Sequence, residues 1–258
     1  MTILPLRLLS ASLRSHMEDR FSFVVQILAA LAINGVEFLG VAALFRSFGG
    51  LRGWSLAEVG LFYALVNIAF SFTDLFSRGF DVFADSLRAG SFDRVLLRPR
   101  PAAWQIAFSE FRLRPLGRLA QGAAVFAWAA SQLAWTPDRA ALAAASVAGA
   151  FCLFYGLIVF QATMAFWTVD SLEMMNALTY GGVYAAGYPM DIYRPWFRRF
   201  FTGVVPLACV CWFPVLGALG REVPPALAWG APLAGPAFLF LSLAAWRLGV
   251  RRYASTGS

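Results

Sequence analysis

The chain has 258 residues, 60% hydrophobic and 14% charged, with a formal net charge of +7. Soluble domains carry about 25% charged residues, and a domain of this size could not hide so much apolar surface, so the composition excludes an ordinary water-soluble fold and points to a bilayer. The basic surplus is all arginine, twenty-one residues without a lysine; these flank apolar runs instead of forming one basic face, which fits membrane topology and not nucleic-acid binding.

Taken in chain order, residues 1–20 place Leu6, Leu9, Leu13 and Met17 at helical spacing, with Arg7, Arg14 and Glu18 elsewhere around the wheel. This predicts an amphipathic helix in the inner membrane interface, or else a solvated helix, and not a cleavable signal peptide. A membrane helix needs roughly 20 apolar residues. Six stretches qualify, at about 21–45, 56–76, 117–135, 140–169, 200–219 and 226–246. Prolines 224, 225, 232 and 236 predict that the outer half of the last span is broken or re-entrant, tolerated only where protein or water covers the freed backbone. No repeat or low-complexity linker divides the chain, so residues 1–258 read as one all-α membrane domain.

Orientation follows from the arginines. The segments holding Arg7, Arg14 and Arg20, then Arg78 to Arg118, then Arg194, Arg198 and Arg199, then Arg247, Arg251 and Arg252 contain seventeen. The alternate loops hold only four, Arg46, Arg52, Arg139 and Arg221. The positive-inside rule puts the rich set, and with an even span number both termini, in the cytoplasm.

The residues also exclude chemistry. Without lysine there is no P-loop lysine for phosphates and no Schiff base. The one histidine, His16, lies away from any candidate nucleophile, which disfavours serine or cysteine hydrolases and multi-histidine metal sites. Cys152, Cys209 and Cys211 lie in apolar stretches without metal-ligand spacing. Transport, or scaffolding of a transporter, is what remains.

Polar groups inside the spans are candidate cavity residues. Glu37, with Asn34 one turn earlier, lies deep in the first span, where a charge costs about 2.5–3.5 kcal/mol and must face protein or water. It serves either a substrate cavity or a structural hydrogen bond. Asn67 and Asp74 mark the second span, Asp74 near enough to its inner end to be interfacial. Gln121 and Gln161 suit interhelical hydrogen bonds. Nine tryptophans and twenty-five phenylalanines suit an amphiphilic substrate and lipid-facing helices equally.

The loop over residues 77–112 is the most informative segment. Its first half can form a short helix ended by Gly90; Ser91 can cap a second turn carrying Asp93 and Arg94, closed by Pro99. Mixed charge with exposed Phe83, Phe92 and Leu96 would suit a groove of another protein; a plain arginine-rich topology loop is the alternative.

The run RAGSFDRVLLRP, from Arg88 to Pro99, resembles the R-x-G-[DT]-[LF]-[DE]-R-L-L-x-[RT]-P signature of ABC type-2 exporter permeases. GGLRGWSLAEVGLFYAL (Gly49 to Leu65) and YPMDIYRPWFRRFFTGVVP (Tyr188 to Pro206) are similar to segments of the six-span branch of that family, the latter carrying Tyr188, Pro189, Asp191 and Tyr193. Ser91 stands where the family usually has Asp or Thr. The resemblance implies a permease that pairs with a second, identical or paralogous, permease in a bacterial inner (plasma) membrane. It also implies separate ABC ATPase subunits that bind ATP and Mg, with no cofactor and no catalytic or metal-ligating residue on this chain. The loop after the second span would then be the coupling helix, with Asp85, Arg88, Gly90, Phe92, Asp93, Arg94 and Pro99 docking on the ATPase. A secondary carrier or channel working through membrane carboxylates, and a non-transporting scaffold, are the rival expectations.

Overall fold

A computed structural model describes residues 20–48, 50, 52–110, 114–168 and 172–253. The expected interfacial helix over residues 1–20 lies, apart from Arg20, outside the described residues. Every regular element among the described residues is helical: α1 (Arg20–Phe48), α2 (Leu56–Asp81), α3 (Phe83–Arg88), α4 (Phe92–Leu96), α5 (Ala102–Ala107), α6 (Pro115–Ala130), α7 (Pro137–Met164) and α8 (Leu172–Ala186). A 3-10 turn (Met190–Ile192), α9 (Pro195–Gly203), a π turn (Ala208–Trp212), α10 (Phe213–Leu219), α11 (Pro225–Gly230), a second 3-10 turn (Ala231–Leu233) and α12 (Ala234–Arg252) follow.

Local chemistry explains the helix starts. Ser55 caps α2 in a reciprocal box: its Oγ accepts from the Glu58 N–H (3.2 Å) while its own N–H donates to Glu58 Oε2 (2.8 Å). Thr136 caps α7, accepting from the Arg139 N–H, with Pro137 at the first helical position. Four helical stretches are long and apolar enough to cross a membrane: Val24–Ser47, Leu56–Arg88, Pro137–Met164 and Pro225–Arg252. The expected third span, 117–135, is shorter, because α6 has 16 residues, about 24 Å at 1.5 Å per residue. Its last residues turn back, the Trp135 indole donating to the Ala130 carbonyl (2.9 Å).

The expected fifth span, 200–219, is not one straight helix. Pro195–Gly203 and Ala208–Leu219 meet at 92°. Pro206 provides the physical reason, since it has no N–H and disfavours a helical Val205 before it. Pro214 in turn deprives the Val210 carbonyl of its i+4 donor, and the Ser146 hydroxyl of α7 fills that place at 2.7 Å. What the apolar scan passed over is α8, 15 residues that pack on α7 through a Gln161-to-Asn176 hydrogen bond (3.0 Å). The proline-rich start of the last span, by contrast, is only a 3-10 turn between α11 and α12, and the helical stretch runs through to Arg252. There α7 and α12 approach so closely that a Cβ at Gly235 would fall on the Gly149 carbonyl oxygen.

Side-chain contacts sort the connections by end. At one end the loop before α2 meets two others. Trp54 Nε1 donates to the Asp191 carboxylate (3.1 Å) and Arg52 to the Asp191 carbonyl (3.0 Å). Arg221 reaches Glu58 with both Nε (2.7 Å) and Nη2 (3.0 Å), and its guanidinium stacks 3.6 Å over Trp54. Asp191 therefore lies with the loop after α1, whereas the arginine count had put its neighbour Arg194 at the opposite end; the overlooked α8 accounts for the reversal. At the other end the last turns of α2, α7 and α12 converge on α3 and α4. Phe80, Phe83, Phe92, Ile158, Ala162 and Trp246 are buried together there. Between the ends, Phe70, Phe154 and Leu207 anchor a core joining α2, α7 and the bend.

Candidate functional site

Two places combine polar chemistry with access. The first is a cleft of about 270 Å³ bounded by α1, α2, α6 and α8, continuous in its lining with a smaller inner pocket of about 70 Å³. Asn34, Glu37, Asn67 and Asp74, singled out separately from the sequence, all line it. Arg78, Arg114, Arg118, Tyr63, Tyr180 and Tyr184 join them. Sequence reasoning missed these last six. The arginines had been absorbed into the topology count, and Tyr180 and Tyr184, four residues apart and so on one helical face, sit on the unassigned α8.

The hydrogen bonds show which groups are committed to the fold. Asn34 and Asn67 donate to carbonyls four residues back, Ala30 (2.6 Å) and Tyr63 (2.8 Å). Gln121 on α6 donates to the Asn34 carbonyl (3.3 Å) and the Tyr63 hydroxyl (3.4 Å), tying α1, α2 and α6 together. The single Tyr63 hydroxyl proton has two acceptors, the Asn34 carbonyl at 3.2 Å and Glu37 Oε2 at 3.4 Å. Glu37 is half-buried and so keeps an aspect toward the cleft. Arg78 pairs with Asp81 and lies 4.0 Å from Glu110. Arg118, half-buried, stands 5.1 Å over the Phe70 ring and has no carboxylate within ion-pair distance among the described residues. The polar groups that the wider part of the cleft presents are thus Glu37, Asp74, Arg114, Arg118, Tyr180 and Tyr184, with Arg78 held by Asp81.

The second place is the α3–α4 hairpin. Gly90 joins the helices with φ +63°, a left-handed conformation that glycine adopts without cost. Ser91 does not cap α4; it is itself helical, and its hydroxyl donates back to the Ser86 carbonyl (2.9 Å). The expected exposure also divides. Phe83 and Phe92 are fully buried, their rings 5.0 Å apart edge to face, with Phe92 5.2 Å from Tyr253. Their anchoring is intramolecular, because α3 and α4 must bury an apolar face against the ends of α7 and α12 before they can present any other. Asp93 lies beside Tyr253, and burial, together with that carboxylate, raises the pKa of the phenol. Asp85, Arg88, Arg94, Leu96, Leu97 and Pro99 face outward, Leu97 85% exposed. Arg88 and Asp85 form a surface pair at 3.4 Å.

Of the Tyr188, Pro189, Asp191 and Tyr193 segment, only Tyr188 touches either place, bordering the inner pocket of the cleft. The segment builds the opposite end, where Asp191 accepts from Trp54 and the Tyr193 hydroxyl donates to the Ala185 carbonyl (3.1 Å). The family model described as ABC-2 family transporter protein matches residues 31–257, from within α1 to beyond α12 and across both places. No curated protein and no solved structure matches the chain.

Proposed function

The chain belongs to the ABC-2 family of transporter proteins, and from that premise we propose that it is the six-span membrane subunit of an ATP-driven exporter. The family is one of non-catalytic membrane permeases, and it implies an ATPase partner in general. In this reading α1, α2, α6, α7, α8 and the 225–252 stretch are the six crossings, and the bent 195–219 segment is a re-entrant element at the end holding Trp54. Moving Arg194, Arg198 and Arg199 with it leaves fourteen arginines against seven, still favouring a cytoplasmic hairpin end and cytoplasmic termini in a bacterial inner membrane.

The observation that carries the coupling role is the two-faced hairpin. Its apolar face is rooted by Phe83, Phe92 and Trp246 on the ends of α7 and α12, while Asp85, Arg88, Arg94 and Leu97 remain outward. A push on that outer face by a closing ATPase pair would pass through packed aromatic rings to the helices that frame the core, which is the mechanical link alternating access requires. Gly90 sets the hairpin geometry, and Asp93 holds the α12 end through Tyr253. ATP and Mg belong to the partner. A second permease subunit, identical or paralogous, would cover the outward apolar side chains of α1, among them Ile33, Val36 and Leu39, and complete the cleft. A carrier working through Glu37 alone would have no use for the hairpin. The test is copurification of the ATPase with the full chain and stimulation of its hydrolysis in liposomes. Association that survives Asp85→Arg combined with Leu97→Ala would refute the assignment of the docking face.

A further inference from the structure

We propose that the contacts joining residues 52–58 to Asp191 and Arg221 form the outer gate of the cleft, a latch that must part before a substrate can leave; this deepens the exporter reading above and rests on it for the direction of transport. The taper of the cleft carries it. The wider part is lined by Asp74 and Arg78 of α2 and by Arg114 and Pro115 at the start of α6, all toward the end where the hairpin sits. The narrow part is lined by Tyr63 and Asn67 of α2 and by Val183, Gly187 and Tyr188, toward the opposite end. Tyr188 stands at that limit. Half-buried, it borders the pocket and packs against the cluster that holds Trp54 and Phe62. The cleft is therefore open toward the hairpin and shut at the other end by Tyr188 and the cluster behind it, as a permease that loads from the cytoplasm requires.

The two ends are also held differently. At the hairpin end buried aromatic rings hold the helices together. At the outer end a few directional polar contacts tie separate loops to one place. Just before α9, Asp191 accepts from the Trp54 indole at its carboxylate (3.1 Å) and from Arg52 at its carbonyl (3.0 Å). Just after α10, Arg221 donates to the Gly53 carbonyl (3.0 Å) and to both carboxylate oxygens of Glu58. The bent 195–219 segment is thus fastened at both of its ends to the first turn of α2 and the loop before it. Partly exposed polar bonds can be exchanged for bonds to water, so they part more readily than a packed core. The loop is also poised to move. Arg52 takes a left-handed φ of +49°, flanked by Gly50 at +130° and Gly53 at +79°, and a residue with a side chain persists there only while its surroundings hold it. The bond from Arg52 to the Asp191 carbonyl is such a hold. One continuous helix, α2, runs from this latch to the hairpin, so a displacement at the hairpin reaches the latch through a single rigid element.

The experiment uses right-side-out and inside-out membrane vesicles holding the full chain, with Glu37→Cys in the cleft and a membrane-impermeant maleimide as the probe. The chain without that cysteine gives the blank. With the latch intact, labelling from the inner side should be about tenfold or more faster than from the outer side. Asp191→Ala removes the acceptor of Trp54 and leaves the backbone carbonyl to Arg52. It should speed outer labelling about tenfold, the worth of a charge-assisted hydrogen bond, with the inner rate unchanged. Trp54→Ala should speed it further, and Arg251→Gln at the end of α12 should change neither rate. If Trp54→Ala does not fold, Arg221→Gln, at a partly exposed position, serves in its place and should also speed outer labelling. A contact that only supports the fold would, once weakened, speed labelling from both sides alike. That result overturns the proposal, as does outer labelling at the wild-type rate in both Asp191→Ala and Arg221→Gln. ATP with vanadate, added to inside-out vesicles that also hold the ATPase, is scored separately and should slow inner labelling. Its failure beside an intact response to Asp191→Ala would sink the exporter reading alone, so the two are distinguishable.

Discussion

Replacing Phe92 by alanine separates an anchor from a docking surface. The ring is fully buried and meets Phe83 at 5.0 Å, Tyr253 at 5.2 Å and Phe166 at 5.7 Å. Truncating such a phenylalanine costs about 3–5 kcal/mol through lost burial and the cavity left behind. Most of that loss falls on the local stability of the hairpin, because Phe92 is the one buried side chain of α4 and packs on Phe83 of α3. At about 1.4 kcal/mol per factor of ten, a loss of about 3 kcal/mol means exchange of the amides of residues 83–96 about a hundredfold faster. Hydrogen exchange read by mass spectrometry in detergent or nanodiscs measures it, with the amides of α7 above the cluster as an internal reference. Binding of the ATPase should weaken with it, as a consequence of the loosened hairpin. Leu97→Ala, by contrast, should weaken binding while leaving exchange at the wild-type rate. Unchanged exchange in Phe92→Ala, accompanied by lost association, would mean that Phe92 itself enters the partner and that the packing described above is wrong.

Three further predictions test other parts of the molecule. Glu58→Gln and Arg221→Gln should each lower thermal stability, and their double-mutant cycle should give a coupling of about 1–2 kcal/mol, since the bidentate pair is only partly exposed. Additive losses would show that the pair contributes nothing. Gly235→Ala should reduce the yield of folded protein, because the added methyl collides with the Gly149 carbonyl and the two helices must separate; wild-type yield would place α12 elsewhere. Glu37→Gln should preserve expression and ATPase association while altering transport, because among the described residues its side chain has one hydrogen-bond partner, the Tyr63 hydroxyl at 3.4 Å, which an amide can still engage; loss of the folded protein would make Glu37 structural.

The membrane class, the long helices and the hairpin were legible because each rests on a local signal. These were apolar length for the 29 residues of α1 and the 28 of α7, glycine for the left-handed turn at 90, and a motif for Arg88 to Pro99. Asn34, Glu37, Asn67 and Asp74, which now line the cleft, were noticeable too, since a Glu, Asp or Asn inside an apolar run stands out wherever it points. The α8 helix was not. With 15 residues, including Asn176, Thr179 and Tyr180, α8 lies below the length and apolarity a span is expected to have, whereas the bent 195–219 segment meets them only if its two limbs are read as one. Helix length and hydropathy describe a segment against lipid, and both of these segments pack against protein. The buried aromatics of the hairpin failed for a related reason: apolar residues in a polar loop signal burial, but not whether the covering surface belongs to the same chain. Arg118 could be recognised only when folding showed which arginines had found carboxylates.

In the proposed arrangement the outer face of residues 83–97 meets an ATPase on the same side as both termini, while the 188–194 segment lies across the membrane. A photo-crosslinking residue placed in turn at Arg88, Leu97, Trp54 and Arg194, in cells that also produce the ATPase, tests it most directly. Covalent capture of the ATPase is expected from positions 88 and 97 and none from positions 54 and 194. Capture from position 194, or none from 88 and 97 in a complex that still copurifies, would contradict it.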